Sequence, residues 1–167
     1  MEPLEVVEVI GLRLAGSGFT QQRVKIAGHD ALVARRSDFR LKWVATRLHT
    51  FVMVFHVTDL DEQLAEELTA AAQRYAIRHK RGLPRGLQTG SAAVAVFLSH
   101  EPQPALHQWF ADTPKHRFAA LRFPVLVELE PPTLTYFQGR ARTGAVYLGH
   151  LRGVVGDLVE PAVKTAS

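Results

Sequence analysis

Apolar residues fall along this chain in two rhythms. An alternation of two, the spacing of strands, dominates most of it, and a three-to-four spacing, the mark of helices, appears in one long central stretch and two shorter ones. Residues 4–14 are mostly apolar and β-branched, which predicts a strand, peripheral to the domain and ended by Gly16 and Gly18. Between 22 and 57 the pattern predicts consecutive strands. Val24 and Ile26 alternate with Arg23 and Lys25, and Gly28, His29 and Asp30 make a turn before Leu32 and Val33. Phe39, Leu41 and Trp43 alternate with Arg40 and Lys42, which predicts a strand with an apolar, core-facing side and a basic side. From Leu48 to Val57 both sides are apolar, as in a central strand covered on two faces.

The helical rhythm begins after Thr58. Leu60, Leu64, Leu68, Ala71, Ala72, Tyr75 and His79 form one stripe, with Thr58 or Asp59 placed to cap the start. Glu66 and Glu67 come early, and Arg74, Arg78, Lys80 and Arg81 come late, a polarity that complements the helix dipole. Gly82, followed by Pro84, fits a left-handed helix stop. A buried strand over residues 92–98 follows, then a short amphipathic helix through Leu106, Trp109 and Phe110. Residues 118–130 read as a strand in which Pro124, lacking an N–H, implies an edge position or a bulge. Pro131 and Pro132 turn the chain into a returning strand over 133–137. The last helix, 146–159, carries Gly149, Gly153 and Gly156, which cost helix propensity and predict a close backbone contact with a sheet or a twin helix. The sum is a single α/β domain of the α+β type over residues 1–167, with a mixed, largely antiparallel sheet of about six to eight strands and three helices.

Composition narrows the function classes without naming one. A chain of 167 residues with 47% hydrophobic and 22% charged residues can bury one full core and is not a disordered chain. It has no cysteine, so neither a disulfide framework nor a thiolate metal site is in play. No run of about 18 apolar residues occurs, and the first residues lack the basic and apolar regions of a signal peptide, so the expectation is a cytoplasmic protein without a membrane partner. The net charge of +4 favours polyanionic partners. Arginine outnumbers lysine 15 to 5, which suits bidentate phosphate contacts and is also what GC-rich prokaryotic coding produces.

Most catalytic signatures are missing. There is no G-x-S-x-G, H-E-x-x-H or calcium loop, the Gly16–Gly18 pair does not complete G-x-G-x-x-G because position 21 is Gln21, and no Glu-x-Lys supports a restriction-type nuclease. Eight histidines are scattered without metal-helix spacing, so neither a metal nor a cofactor is expected. The distinctive stretch is 75–90, where Gly82, Gly86 and Gly90 recur every four residues among Arg78, Lys80, Arg81 and Arg85 with no acidic residue. Because this loop follows a helix end, whose partial charge is negative, any anion there must be held by side chains.

The expectation is therefore a non-catalytic binding module for nucleic acid or a phosphorylated small molecule, with Arg78, Arg81, Arg85, Gly86, Gln88, Thr89 and Arg142 as ligand-binding residues. Two alternatives stand beside it. One is a small-molecule enzyme using Glu128 or Glu130 as acid/base, with Tyr136 nearby across the hairpin. The other is a structural homodimer formed through the glycine-bearing last helix.

Overall fold

A computed structural model describes residues 2–43, 46–80, 89–112, 120–140 and 144–165. It departs from the sequence reading at the start: Pro3–Gly16 is an α-helix, α1, not a strand. Pro3 occupies the first turn, where no N–H is needed, and Glu5 and Arg13 lie at the ends that suit their charges. Val6, Val7, Ile10 and Leu14 are buried while Leu4 and Leu12 stay 64% and 71% exposed. Only a helix puts those four on one stripe. Burying them, at roughly 1.5–3 kcal/mol per side chain, overrides the β preference of valine and isoleucine.

Strands β1 (Thr20–Ile26) and β2 (His29–Phe39) form a hairpin in which Ile26 faces His29. The two turn residues, Ala27 and Gly28, both have positive φ, 48° and 82°, as a tight hairpin turn of matching twist requires. The strand expected over residues 39–43 is not formed. β2 stops at Phe39, and Leu41–Trp43 make a 3₁₀ turn. The change of period buries Trp43 (1% exposed) and leaves Phe39 and Leu41 outside (49% and 81%), so Phe39 is not a core residue.

β3 (Arg47–His56), α2 (Glu62–His79), β4 (Thr89–Ser99), α3 (Pro104–Ala111), β5 (Ala120–Leu129) and β6 (Pro132–Tyr136) follow. The six strands lie in chain order. β1, β2 and β3 are antiparallel, β3, β4 and β5 parallel, and β5 and β6 antiparallel, so the sheet is mixed and largely antiparallel. Helices α2 and α3, the two parallel crossovers, cover the same face, as a single crossover handedness demands when strands are added in one direction. That face buries Phe51, Met53, Phe55, Ala93, Ala95 and Phe97. The other face buries Val52, Val54, Val94, Val96, Phe123 and Val125 beneath α1 and the C-terminal helices. Pro124 lies just before the point where β6 begins to pair, at Val125 opposite Tyr136, so β5 is locally an edge there.

α2 is capped by Asp61, whose carboxylate accepts the Leu64 N–H at 2.7 Å, rather than by Thr58 or Asp59. Ala65, Leu68, Thr69, Ala72 and Ala76 are its most buried residues, and the small alanines let the helix lie close on the sheet. Gln73 donates to the Ala120 carbonyl at 3.0 Å and ties α2 to β5.

The last helical run is α4 (Ala145–Val154), one π-helical turn (Val155–Val159) and α5 (Glu160–Thr165). Counting it as one gives four helices among the described residues, one more than the sequence suggested, because α1 was read as a strand. Leu148, Leu151, Val155, Val159, Ala162 and Val163 carry its packing. The close contact expected at its glycines is absent among the described residues. A Cβ at Gly149 or Gly156 would meet nothing within 4 Å, and one at Gly153 only the Asp157 carboxylate at 3.9 Å. Among the described residues no helix is long and apolar enough to cross a membrane.

Candidate functional site

The C-terminal turn of α2 stands over the β1–β2–β3 wing of the sheet and encloses a cleft of about 490 Å³. Its floor is Thr20, Gln22, Val33, Arg35 and Phe51, and its wall is Tyr75, Arg78, His79 and Lys80. Register explains the floor. Thr20 pairs with Arg35, Gln22 with Val33, and Arg35 with Phe51, so alternation points all five to the α2 side.

The cleft is cationic. Arg35, Arg78 and Lys80 line it and no carboxylate does. Among the described residues, neither Arg78 nor Lys80 has an ion-pair partner. Arg35 donates to the His79 carbonyl at 3.1 Å, which ties β2 to the exposed end of α2 and satisfies one of its last carbonyls. His79 Nδ1–H donates to the Tyr75 carbonyl at 2.8 Å, and the two rings stack at 3.8 Å. The Tyr75 hydroxyl accepts from Gln22 Nε2 at 2.9 Å, and its ring edge meets Phe51.

Beside this cleft, at the start of β3 and β4, three buried polar atoms have no hydrogen-bond partner among the described residues: Arg47 Nε, His49 Nε2 and Ser91 Oγ. Arg47 and His49 lie two apart on the same side of β3 as Phe51, and Ser91 is the cross-strand neighbour of His49. Burial pushes the His49 pKa below its ordinary value, and the positive charges of Arg35, Arg47 and Lys80 push it the same way. His49 is thus a neutral group among cations.

Of the residues expected at the site, Arg78 is in the cleft wall. Thr89 opens β4 opposite Arg47, at the same end of the sheet. Arg81, Arg85, Gly86, Gln88 and Arg142 lie outside the described residues, as does Gly82 with its expected left-handed conformation. Arg35, Arg47, His49, Gln22 and Tyr75 were missed as site residues. The signal for Arg35 and Gln22 was the hairpin register: counting back from the Ala27-Gly28 turn places Arg35 opposite Thr20 and Gln22 opposite Val33.

The carboxylate pair of the enzyme alternative is not assembled as expected. Glu128 is on β5, where it accepts from the Thr133 hydroxyl at 2.7 Å and lies 3.6 Å from His107 Nε2. Glu130 is exposed in the turn between β5 and β6. Tyr136 is opposite Val125, on the other face of the sheet from Glu128, and packs against Phe123. The period of two separates them. No group of three or more His, Asp or Glu residues able to hold a metal occurs among the described residues.

A smaller cleft of about 260 Å³ opens on the opposite face, between Ser17, Arg36, Arg40 and the exposed side of α4 at Gly149 and Gly153. Its cations are committed within the chain: Arg36 bonds Asp38 at 3.0 Å and the Ser17 carbonyl at 2.8 Å, and Arg40 lies over the Trp43 ring. His150 is buried beside it, with Nε2 at 3.1 Å from the Thr50 hydroxyl and 3.7 Å from the Asp38 carboxylate.

No protein-family model matches the chain, and no curated protein or solved structure is significantly similar to it.

Proposed function

We propose that the chain is a non-catalytic binding module whose cleft between the end of α2 and the β1–β2–β3 wing takes a phosphate-bearing ligand, a nucleic acid or a phosphorylated small molecule. The observation that supports this reading is a concave site with three cations and no carboxylate among its described lining residues, Arg78 and Lys80 having no ion-pair partner among the described residues. Cations so placed repel one another, and a polyanion relieves that repulsion. Arg47 and the buried His49 beside it add no negative charge at the same end of the sheet.

The test is a salt titration of binding to a fluorescent single-stranded oligonucleotide. Three phosphate contacts from Arg35, Arg78 and Lys80 predict a log–log slope of about −2, at roughly 0.7 per contact. A triple alanine variant should flatten the slope while its melt stays cooperative. A phosphorylated small molecule at 100 times its Kd should stabilise the fold by about 2.7 kcal/mol, or roughly 5–11 °C for a chain of this size. Absence of both effects in low salt refutes the reading.

A further inference from the structure

The cleft holds more than charge. Tyr75 and His79, one turn apart at the end of α2, stack nearly parallel with centroids 3.8 Å apart and planes inclined by 16°. Each ring is fixed from elsewhere: Gln22 binds the Tyr75 hydroxyl at 2.9 Å, and the His79 Nδ1–H is held by the Tyr75 carbonyl at 2.8 Å. Tyr75 is half-buried against Phe51, whereas His79 is exposed. The stack therefore ends in an open imidazole face, rigidly held, inside a cleft lined by Arg35, Arg78 and Lys80. Phosphate alone has no use for such a face. A planar ring linked to phosphate uses both, and the cleft volume of about 490 Å³ lies within the range that encloses small ligands.

We infer that the phosphate-bearing ligand is a nucleotide whose base extends the Tyr75–His79 stack while its phosphate sits among Arg35, Arg78 and Lys80. This rests on the anion-binding reading above and narrows it. Stacking on an aromatic face is tolerant of base identity, so base selectivity is weak. A free nucleotide and one unit of a single strand present the same chemistry, and the test separates them.

The experiment compares three probes on the wild-type protein by calorimetry: an oligothymidylate 12-mer, adenosine diphosphate, and inorganic tripolyphosphate as an anion without a base. The base-bearing probes are expected to bind more tightly than tripolyphosphate at equal salt. His79→Ala should weaken nucleotide binding by roughly 5- to 150-fold, the range for loss of one stacked base, and leave tripolyphosphate binding far less affected. His79→Phe, which keeps the aromatic face and removes the ring nitrogens, should restore it. Since His79 is exposed, its variants should keep the wild-type melt. A readout on the unmodified protein is the emission of a 2-aminopurine nucleotide, which stacking on His79 should quench. Binding of the 12-mer alone assigns a single strand, and binding of the diphosphate alone assigns a free nucleotide; both support the inference. If tripolyphosphate binds as well as either, His79→Ala lowers all three equally and 2-aminopurine emission is unchanged, the nucleotide inference is overturned and the anion site stands. If none of the probes binds, both readings fall.

Discussion

Alanine at Gly149 and at Gly153 should stabilise this protein, which is the reverse of what a close-packed glycine helix would show. Both positions are inside α4 and neither has positive φ. A new Cβ meets nothing within 4 Å at Gly149 and a single carboxylate oxygen at 3.9 Å, ordinary van der Waals distance, at Gly153. With no steric penalty, the gain is the helix-propensity difference between glycine and alanine, ~0.8–1 kcal/mol at each site. The double variant should therefore gain about 1.6–2 kcal/mol. For a chain of this length each kcal/mol moves the melting temperature by roughly 2–4 °C, which makes the expected rise about 3–8 °C. Scanning calorimetry with urea unfolding at one protein concentration measures it, and sedimentation of both proteins reports their mass. A fall in melting temperature, or an oligomer lost on substitution, would refute the reasoning. Either result would mean that a second backbone lies against α4, as the homodimer alternative requires.

Three further outcomes test the packing and electrostatics. His49 is kept neutral in the fold by burial and by Arg35, Arg47 and Lys80, so its folded pKa lies below the ordinary value of about 6.5. Below that value the unfolded chain takes up a proton first, and the stability present at higher pH is lost as pH falls through the lowered folded value; His49→Gln should flatten urea midpoints between pH 8 and 5, and parallel wild-type and variant curves would contradict this. Glu66→Ala deprives the 8%-exposed Arg122 of a carboxylate at 2.6 Å and should cost about 1–3 kcal/mol in urea unfolding, less than a fully buried pair because the Glu66 side chain is 39% exposed. Ala27 holds φ 48° in the β1–β2 turn, so Ala27→Asn, a residue that tolerates that region, should raise the melting temperature by the equivalent of up to ~1 kcal/mol, and a drop would show that the turn differs.

What was legible in the sequence was what a single period reveals. Phe51, Met53 and Phe55 alternating with Val52 and Val54 announced a strand buried on both faces, and β3 is one. The core-facing stripe expected from Leu60 to His79 announced α2, although Tyr75 is only half-buried and His79 is exposed, and Pro131-Pro132 announced the β5–β6 turn. Residues 4–14 misled because Val6, Val7, Val9 and Ile10 favour strands locally, whereas the decision came from a face of the sheet that α1 covers together with the C-terminal helices. Residues 39–43 misled because a 3₁₀ turn can imitate alternation for three residues. The cleft was half legible. Arg78 and Lys80 advertised themselves in a run of like charges, but Arg35, Arg47 and His49 become neighbours only through the pairing of β2 with β3 and β3 with β4. No spacing in the sequence encodes that register.

The position of the cleft also bears on how the proposed ligand would be held. It lies at the amino ends of the parallel strands β3 and β4 and at the carboxyl end of α2. Nucleotide sites on parallel sheets usually take the opposite end, where helix amino termini offer N–H groups and a positive dipole to phosphate. Here the dipole is adverse, and Arg35 already binds the His79 carbonyl that would face the ligand. Affinity for the proposed nucleotide would then come from side-chain cations and from the Tyr75–His79 stack. A site built on backbone N–H groups would keep much of its affinity in salt and survive single substitutions. A site built on Arg35, Arg78 and Lys80 should lose affinity steeply with ionic strength and depend on each residue in turn.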